Sequence, residues 1–158
     1  MNSDIIPVAT GDKWIGYGVR SSSSVIRNLI LDAKKEVVLT AYILTNQEIV
    51  SQIKQALDRG ISVIVYMYID RNPNSFQITK AVTRLYDLKE EYPYLKIIEV
   101  RNVLLHAKVI ISDGHSIYCG SANLSNTALE SNYELGFLVR DGNTAGKMCD
   151  LLQKLEDT

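Results

Sequence analysis

The stretch His106-Ala107-Lys108-Val109-Ile110-Ile111-Ser112-Asp113-Gly114-His115-Ser116-Ile117-Tyr118-Cys119-Gly120-Ser121-Ala122-Asn123 decides how the chain folds and what chemistry it carries. Val109-Ile110-Ile111 is a strand run, Asp113-Gly114 a tight-turn signal, and Ser116-Ile117-Tyr118-Cys119 the antiparallel return, so the stretch reads as a β-hairpin. His106 and Lys108 are two apart, and side chains alternate along a strand, so both project to one face. Gly120 and Ser121 follow the return strand directly, where a residue without a side chain lets backbone approach a ligand.

These residue types suit phosphoryl transfer. A phosphodiester in its transition state spreads negative charge over its oxygens, so a fixed cation and fixed donors aimed at them are the main expected source of rate. Lys108 supplies the cation; the Ser121 hydroxyl and the Asn123 amide supply donors. A neutral His106 imidazole can attack phosphorus, provided an acceptor fixes its tautomer, and Glu134 is the candidate acceptor. Asp113 reads equally well as ordinary turn chemistry before a glycine and is left outside the catalytic set. His115 falls in the turn and is read as a solvated loop residue.

As it stands, HAKVIISDGHSIYCGSAN resembles the HKD motif of the phospholipase D superfamily, and Glu134 lies 28 residues after His106, where that family commonly has its histidine-orienting carboxylate. The resemblance implies catalytic roles for His106, Lys108, Asn123 and Glu134, substrate contacts at Gly120 and Ser121, and neither metal nor cofactor. It also implies two histidines facing one another across the scissile phosphate. The chain has no second His-x-Lys, so the other histidine is expected from a second copy, in a homodimer whose two-fold axis passes through the site. Single-motif Nuc-type endonucleases look like this. The expected function is a metal-independent nuclease acting on DNA or RNA through a phosphohistidine. The alternatives are a phospholipid phosphodiesterase or transphosphatidylase, and a catalytically weak nucleic-acid-binding subunit of a restriction or phage-defence complex.

Outward from the motif, strands and helices alternate. Serines 21–24 offer an N-cap to a helix carrying Val25, Ile26, Leu29, Ile30 and Ala33 on one face, with Lys34-Lys35 at its end. Strand 37–43, helix 47–59 closed by Gly60, and strand 63–69 follow. A loop at 70–74 leads to a helix over 76–91 with Ile78, Val82 and Leu85 inward, then strand 95–100. Beyond the motif come strand 133–139 and a last helix marked by Ala145, Met148, Leu152 and Leu155. This alternation predicts an α/β layered fold, a mixed sheet flanked by helices, matching the phospholipase D-like core. One domain is expected over residues 1–158, with residues 1–24 unassigned. Trp14, Tyr17 and Arg20 within them are read as packing against the core or the second copy.

With 158 residues and 46% hydrophobic content the chain can bury a core without staples. Cys119 and Cys149 form neither a disulfide framework nor a zinc pattern. The start MNSDIIPVATGDKW has no basic-then-apolar order, and no apolar run approaches the ~20 residues of a membrane span, so no membrane association and a cytoplasmic location are expected. A formal net charge of -1 does not exclude a polyanion substrate, because attraction depends on where charges lie. Lys80, Arg84 and Lys89 could line one helix side as a basic stripe, though a solvated face explains them as well.

Overall fold

The computed structural model describes residues 4–72, 74 and 78–156. Its frame is one eight-stranded sheet: β1 (Asp4–Thr10), β2 (Arg20–Ser21), β3 (Glu36–Ala41), β4 (Ser62–Tyr68), β5 (Leu95–Val100), β6 (Val109–Ser112), β7 (Ser116–Gly120) and β8 (Glu134–Arg140), in the spatial order β2-β1-β8-β7-β6-β3-β4-β5. Strands β3, β4 and β5 run parallel, linked through α2 (Gln47–Asp58) and α3 (Lys80–Glu91). Parallel neighbours need such crossovers, and their near-continuous apolar runs mark burial on both faces. The other half, from β3 across β6, β7 and β8 to β1, is antiparallel.

Two apolar layers sandwich this sheet. On one face α1 (Ser22–Leu31), α2 and α3 bury Ile26, Ile30, Ile53, Leu57 and Leu85 against Val8, Leu39, Val63 and Val65. On the other, α5 (Gly142–Gln153) places Ala145 and Leu152 with Val38, Tyr66, Ile98, Val109, Ile111 and Ile117. Alternation along β3 explains the split, since Leu39 joins the first layer and Val38 the second. Each helix begins at a residue whose side chain accepts from its first turn: Ser21, Asn46, Thr79, Ser125 and Asp141. Such caps are worth about 1 kcal/mol each.

Several expectations change. The segment left unassigned in the sequence carries structure from Asp4 onward: β1 pairs along its whole length with β8, and β2 adds a short parallel strand outside it. The third helix starts at Lys80, capped by Thr79, so Ile78 precedes it and is 87% exposed instead of facing inward. Its expected start at 76 and Pro73 of the preceding loop lie outside the described residues. A short helix, α4 (Asn126–Glu130), sits between the motif and β8. The first helix closes at Leu31, before Lys34-Lys35. Arg84 turns onto the neighbouring helix, with Nη1 2.9 Å from the Ser51 hydroxyl, and does not contribute to a free basic stripe.

The β6–β7 turn explains Asp113. Its backbone is left-handed, with φ of 54°, and its carboxylate accepts the amide N–H groups of Lys34 at 2.9 Å, Lys35 at 2.8 Å and Glu36 at 3.0 Å. One side chain thus ties the motif hairpin to the α1–β3 connection. Burial raises the Asp113 pKa, but the amide donors of Glu36, Lys34 and Lys35 and the Lys35 charge outweigh it and hold the carboxyl below its ordinary value. Gly120 is fixed by packing as well: a Cβ there would lie 2.7 Å from Gly136 Cα, the Leu135 carbonyl and the Tyr118 hydroxyl. The packing of β7 against β8 therefore demands glycine at this position.

Two outcomes follow from these contacts. A carboxyl with a depressed folded pKa stabilises above its unfolded pKa, and that contribution fades as pH falls through the folded value. Asp113→Asn should therefore lower Tm at neutral pH, and the gap to wild type should narrow below the ordinary value of 3.8 in thermal melts across pH. Gly120→Ala should cost about 1–3 kcal/mol through overpacking, read as a lower urea midpoint.

Candidate active site

The antiparallel register gathers the sequence-predicted residues at one end of the sheet. Val109 pairs with Cys119, Gly120 with Gly136, and Thr10 with Glu134, so the start of β6, the end of β7 and the start of β8 lie side by side. The C-terminal end of β3 joins them, since Leu39 pairs with Ile110. Strand ends are where side chains can converge on one ligand without breaking the ladder.

His106 and Lys108 lie just ahead of β6 and not on the strand itself, with the Lys108 carbonyl accepting from the Gly120 N–H of β7 at 3.3 Å. What holds them is Thr40, a buried β3 residue whose hydroxyl donates to the Ala107 carbonyl at 2.7 Å and accepts from the Val109 N–H at 3.0 Å. The alternation expected of a strand persists through this stitched segment. Lys108 Nζ lies 3.2 Å from His106 Nε2 and donates to the His106 carbonyl at 2.8 Å. Burial pushes the Lys108 ammonium below its ordinary pKa, while the Glu134 charge pulls the other way. A partly desolvated cation next to an imidazole is what an incoming phosphate dianion or diester would stabilise.

Tyr42 completes the immediate surroundings. Its ring meets the His106 imidazole edge to face at 4.7 Å and 70°, and Lys108 Nζ stands 5.3 Å from its centroid. Sequence reasoning gave Tyr42 no role; the AYILT segment after the first helix had only a family-like look. The contact joins residues 64 positions apart, and no local pattern encodes it.

Ser121 and Glu134 are brought together in a different way from that expected. The Ser121 hydroxyl donates to the Glu134 carboxylate and accepts from the Leu135 N–H at 3.1 Å, while the Ser121 N–H goes to the Leu135 carbonyl at 2.9 Å. Ser121 is thus committed to β8, where the sequence assigned it to a substrate oxygen. Glu134 also accepts from Asn132 Nδ2 at 3.1 Å. Its recorded partners are Ser121 and Asn132, whereas His106 contacts Lys108 and Tyr42. Asn123 is half-buried, with its Oδ1 shut away from solvent and without a protein partner among the described residues. The next residue anchors it: the Leu124 carbonyl accepts from Thr45 N–H at 3.0 Å and Asn46 N–H at 3.1 Å, clamping the motif's end onto the β3–α2 loop.

Outside this cluster, His115 is exposed at the opposite end of the sheet, where its carbonyl accepts from the Asp141 N–H at 3.0 Å. Trp14 packs edge-on against Tyr133 at 4.9 Å, one residue before Glu134, and Tyr17 is 82% exposed. Among the described residues no group of three or more His, Cys, Asp or Glu could hold a metal ion, and no helix is long and apolar enough to cross a membrane.

Comparison with known proteins agrees with this geometry. The family described as "Cardiolipin synthase, PLD-like domain" matches residues 26–155. DISARM protein DrmC of Bacillus paralicheniformis is 28% identical over 147 residues, covering 87% of this chain and 57% of that protein. Cardiolipin synthase A of Buchnera aphidicola is 25% identical over 145 residues, covering 90% of this chain but 28% of the relative. The chain therefore spans between about a quarter and about three fifths of these relatives' lengths. Among solved structures, NucT from Helicobacter pylori superposes with a TM-score of 0.77 over 99% of this chain and 97% of its own at 23% identity. Nuc from Salmonella typhimurium gives a TM-score of 0.78 over 99% and 95% at 18% identity. The matched residues 26–155 take in the motif hairpin, Glu134 and every strand of the sheet but β1 and β2, and the chain belongs to the phospholipase D superfamily through its PLD-like domain.

Proposed function

We propose that this phospholipase D-family phosphodiesterase is a nuclease that cleaves DNA or RNA without a metal, using His106 as nucleophile in a site completed by a second copy of the chain. The observation that carries the reading is the His106–Lys108 pair, with Nε2 and Nζ 3.2 Å apart at the shared end of five strands. An ammonium donating to Nε2 marks that nitrogen as the one bearing the lone pair. In the reaction, Nε2 attacks phosphorus and forms a P–N bond as the P–O bond to the leaving nucleoside breaks. The leaving oxygen takes a proton from the second copy's histidine. Water then attacks the phosphohistidine, giving its proton to that same imidazole, and the P–N bond breaks to restore His106. Lys108 and the Asn123 amide hold the non-bridging oxygens as their charge grows. Glu134, whose charge Lys108 feels, balances the charge of the protonated imidazole across the site.

The second copy is supported by a surface as well as by the single motif. On the α5 side of the sheet, Leu135, Phe137 and Ile5 are 57%, 52% and 63% exposed, and Cys119 beside them is exposed too. Phe137 pairs with both Pro7 and Cys119, so these side chains form a continuous apolar patch reaching from β1 to β7. Patches of this kind mark association sites, and this one adjoins Ser121 and Glu134. A copy seated there by a two-fold operation would bring its own motif to the same end of the sheet.

Relatives named cardiolipin synthase keep a phospholipid substrate as the second reading. Incubating the pure protein in excess EDTA with single-stranded DNA, duplex DNA, RNA and phosphatidylcholine separates the two. Release of shorter oligonucleotides is the expected result; choline release alone would replace the nuclease reading with the phospholipid one. His106→Asn should abolish turnover with Tm unchanged, and full activity in that variant would remove the nucleophile assignment. After subunit exchange between equal amounts of wild type and His106→Ala, about a quarter of the wild-type activity should remain, the share of dimers with two intact motifs. Half would indicate independent sites.

A further inference from the structure

The reaction as described occupies one side of Tyr42; a cavity of about 760 Å³ opens on the other. It sits at the C-terminal ends of β3 and β4, beside α3, and Tyr42, Tyr68 and Tyr86 line it together with Met67 and Val82. Its size is within the range of small-molecule sites, about 300–1,000 Å³. Tyr42 is shared: one part of the ring meets His106 at 4.7 Å, and the ring also lies 5.5 Å from that of Tyr68, tilted 31°. The cavity thus begins one side chain from the imidazole, at the distance where the group attached to a bound phosphate would fall.

Charge decides what kind of group that is. Among the described residues, Asp70, Asp87 and Glu99 line the cavity against one cation, Arg101, which itself pairs with Glu99. A second phosphate of the substrate would be repelled there, so the occupant is an uncharged portion of the molecule. An acyl chain would gain from Met67 and Val82 but would leave the Asp87 carboxylate and the Thr83 hydroxyl facing hydrocarbon, which is costly. A nucleobase fits both sets of groups. Its faces stack on tyrosine, and its edge offers amino and ring N–H donors to carboxylates and acceptors to Arg101 and Thr83.

We infer that this cavity is a subsite for one nucleobase next to the scissile phosphate, and hence that the substrate is an unpaired strand. The inference rests on the nuclease reading above and adds the substrate's strandedness and a recognition site to it. A base can enter only when it is out of its duplex stack, which costs a few kcal/mol for a paired base and little for a single strand. Stacking places the sugar–phosphate link over Tyr42 with its phosphorus toward His106. Tyr68 is a positioning residue in this scheme, since it touches the base and not the reacting atoms.

The test uses single-stranded oligonucleotides, intact or with one abasic position scanned along the strand, and compares kcat/KM at the bond beside that position. Wild type should cleave the intact strand about 5- to 150-fold faster at that bond, the range expected of one base–aromatic contact. In Tyr68→Leu, which keeps the apolar volume and loses the ring, the intact-to-abasic ratio should collapse toward one; in Tyr68→Phe it should persist. A duplex of the same sequence should be cut more slowly than the single strand. Equal cleavage of intact and abasic strands by wild type, or of duplex and single strand, would overturn the cavity assignment while leaving the nuclease reading in place. Persistence of the ratio in Tyr68→Leu would do the same. Absence of any nucleic-acid cleavage, with phosphatidylcholine turned over instead, would remove both readings together.

Discussion

The two hydrogen bonds made by the Thr40 hydroxyl hold this site to this fold. The segment carrying His106 and Lys108 lies just ahead of β6; on its β7 side the Gly120 N–H donates to the Lys108 carbonyl at 3.3 Å, and on its β3 side it needs a partner of another kind. Thr40, buried at the end of a parallel strand, provides that partner by bonding on both sides of Lys108, to Ala107 and to Val109. A hydroxyl serves here because one atom both donates and accepts, which no valine of the same shape can do. The position also explains why the parallel and antiparallel halves meet where they do. β3 is the last parallel strand and the first antiparallel one, and the chemistry is assembled on that seam.

From that seam the division of labour within the motif becomes physical. Its early residues, His106 and Lys108, pair with one another beside Tyr42, its middle ones form the core, and Asp113 binds the far turn to the α1–β3 connection. Its late residues, Gly120 and Ser121, serve β8: one by allowing the strands to close up, the other by holding Glu134 and Leu135. Glu134 is thereby placed by a residue of the same motif that depends on its charge.

The sheet and its crossovers were legible because each strand from 37 onward carries its own apolar signal and each crossover helix its own apolar face. β1 was not, since Asp4–Thr10 contains Pro7 and acquires meaning only from a partner more than 120 residues away. Ile78 follows the helical period of α3 yet precedes Thr79, whose side chain accepts from Val82 and so starts the helix later. Periodicity reports a face but not a boundary. In the site, His106, Lys108, Asn123 and Glu134 could be named because their spacing is a pattern; Thr40 and Tyr42 could not, because their parts arise from packing across the β3–β6 seam. Ser121 shows the limit of residue chemistry by itself: a hydroxyl suited to phosphate is spent on a neighbouring strand.

The sheet's outer margins have a consequence for how the molecule meets others. At one margin β2 covers only Val8 and Ala9 of β1, and the uncovered part includes Pro7, which has no N–H to offer. At the other, β5 turns the exposed Lys96 and Glu99 outward along its length. Proline and charge on bordering strands discourage another chain from extending the ladder. Association by strand addition is thus disfavoured at both borders. The broad apolar side of β7, β8 and β1 is left as the surface through which contact can be made, and a fold with so much exposed hydrocarbon is thereby kept from polymerising along its hydrogen bonds.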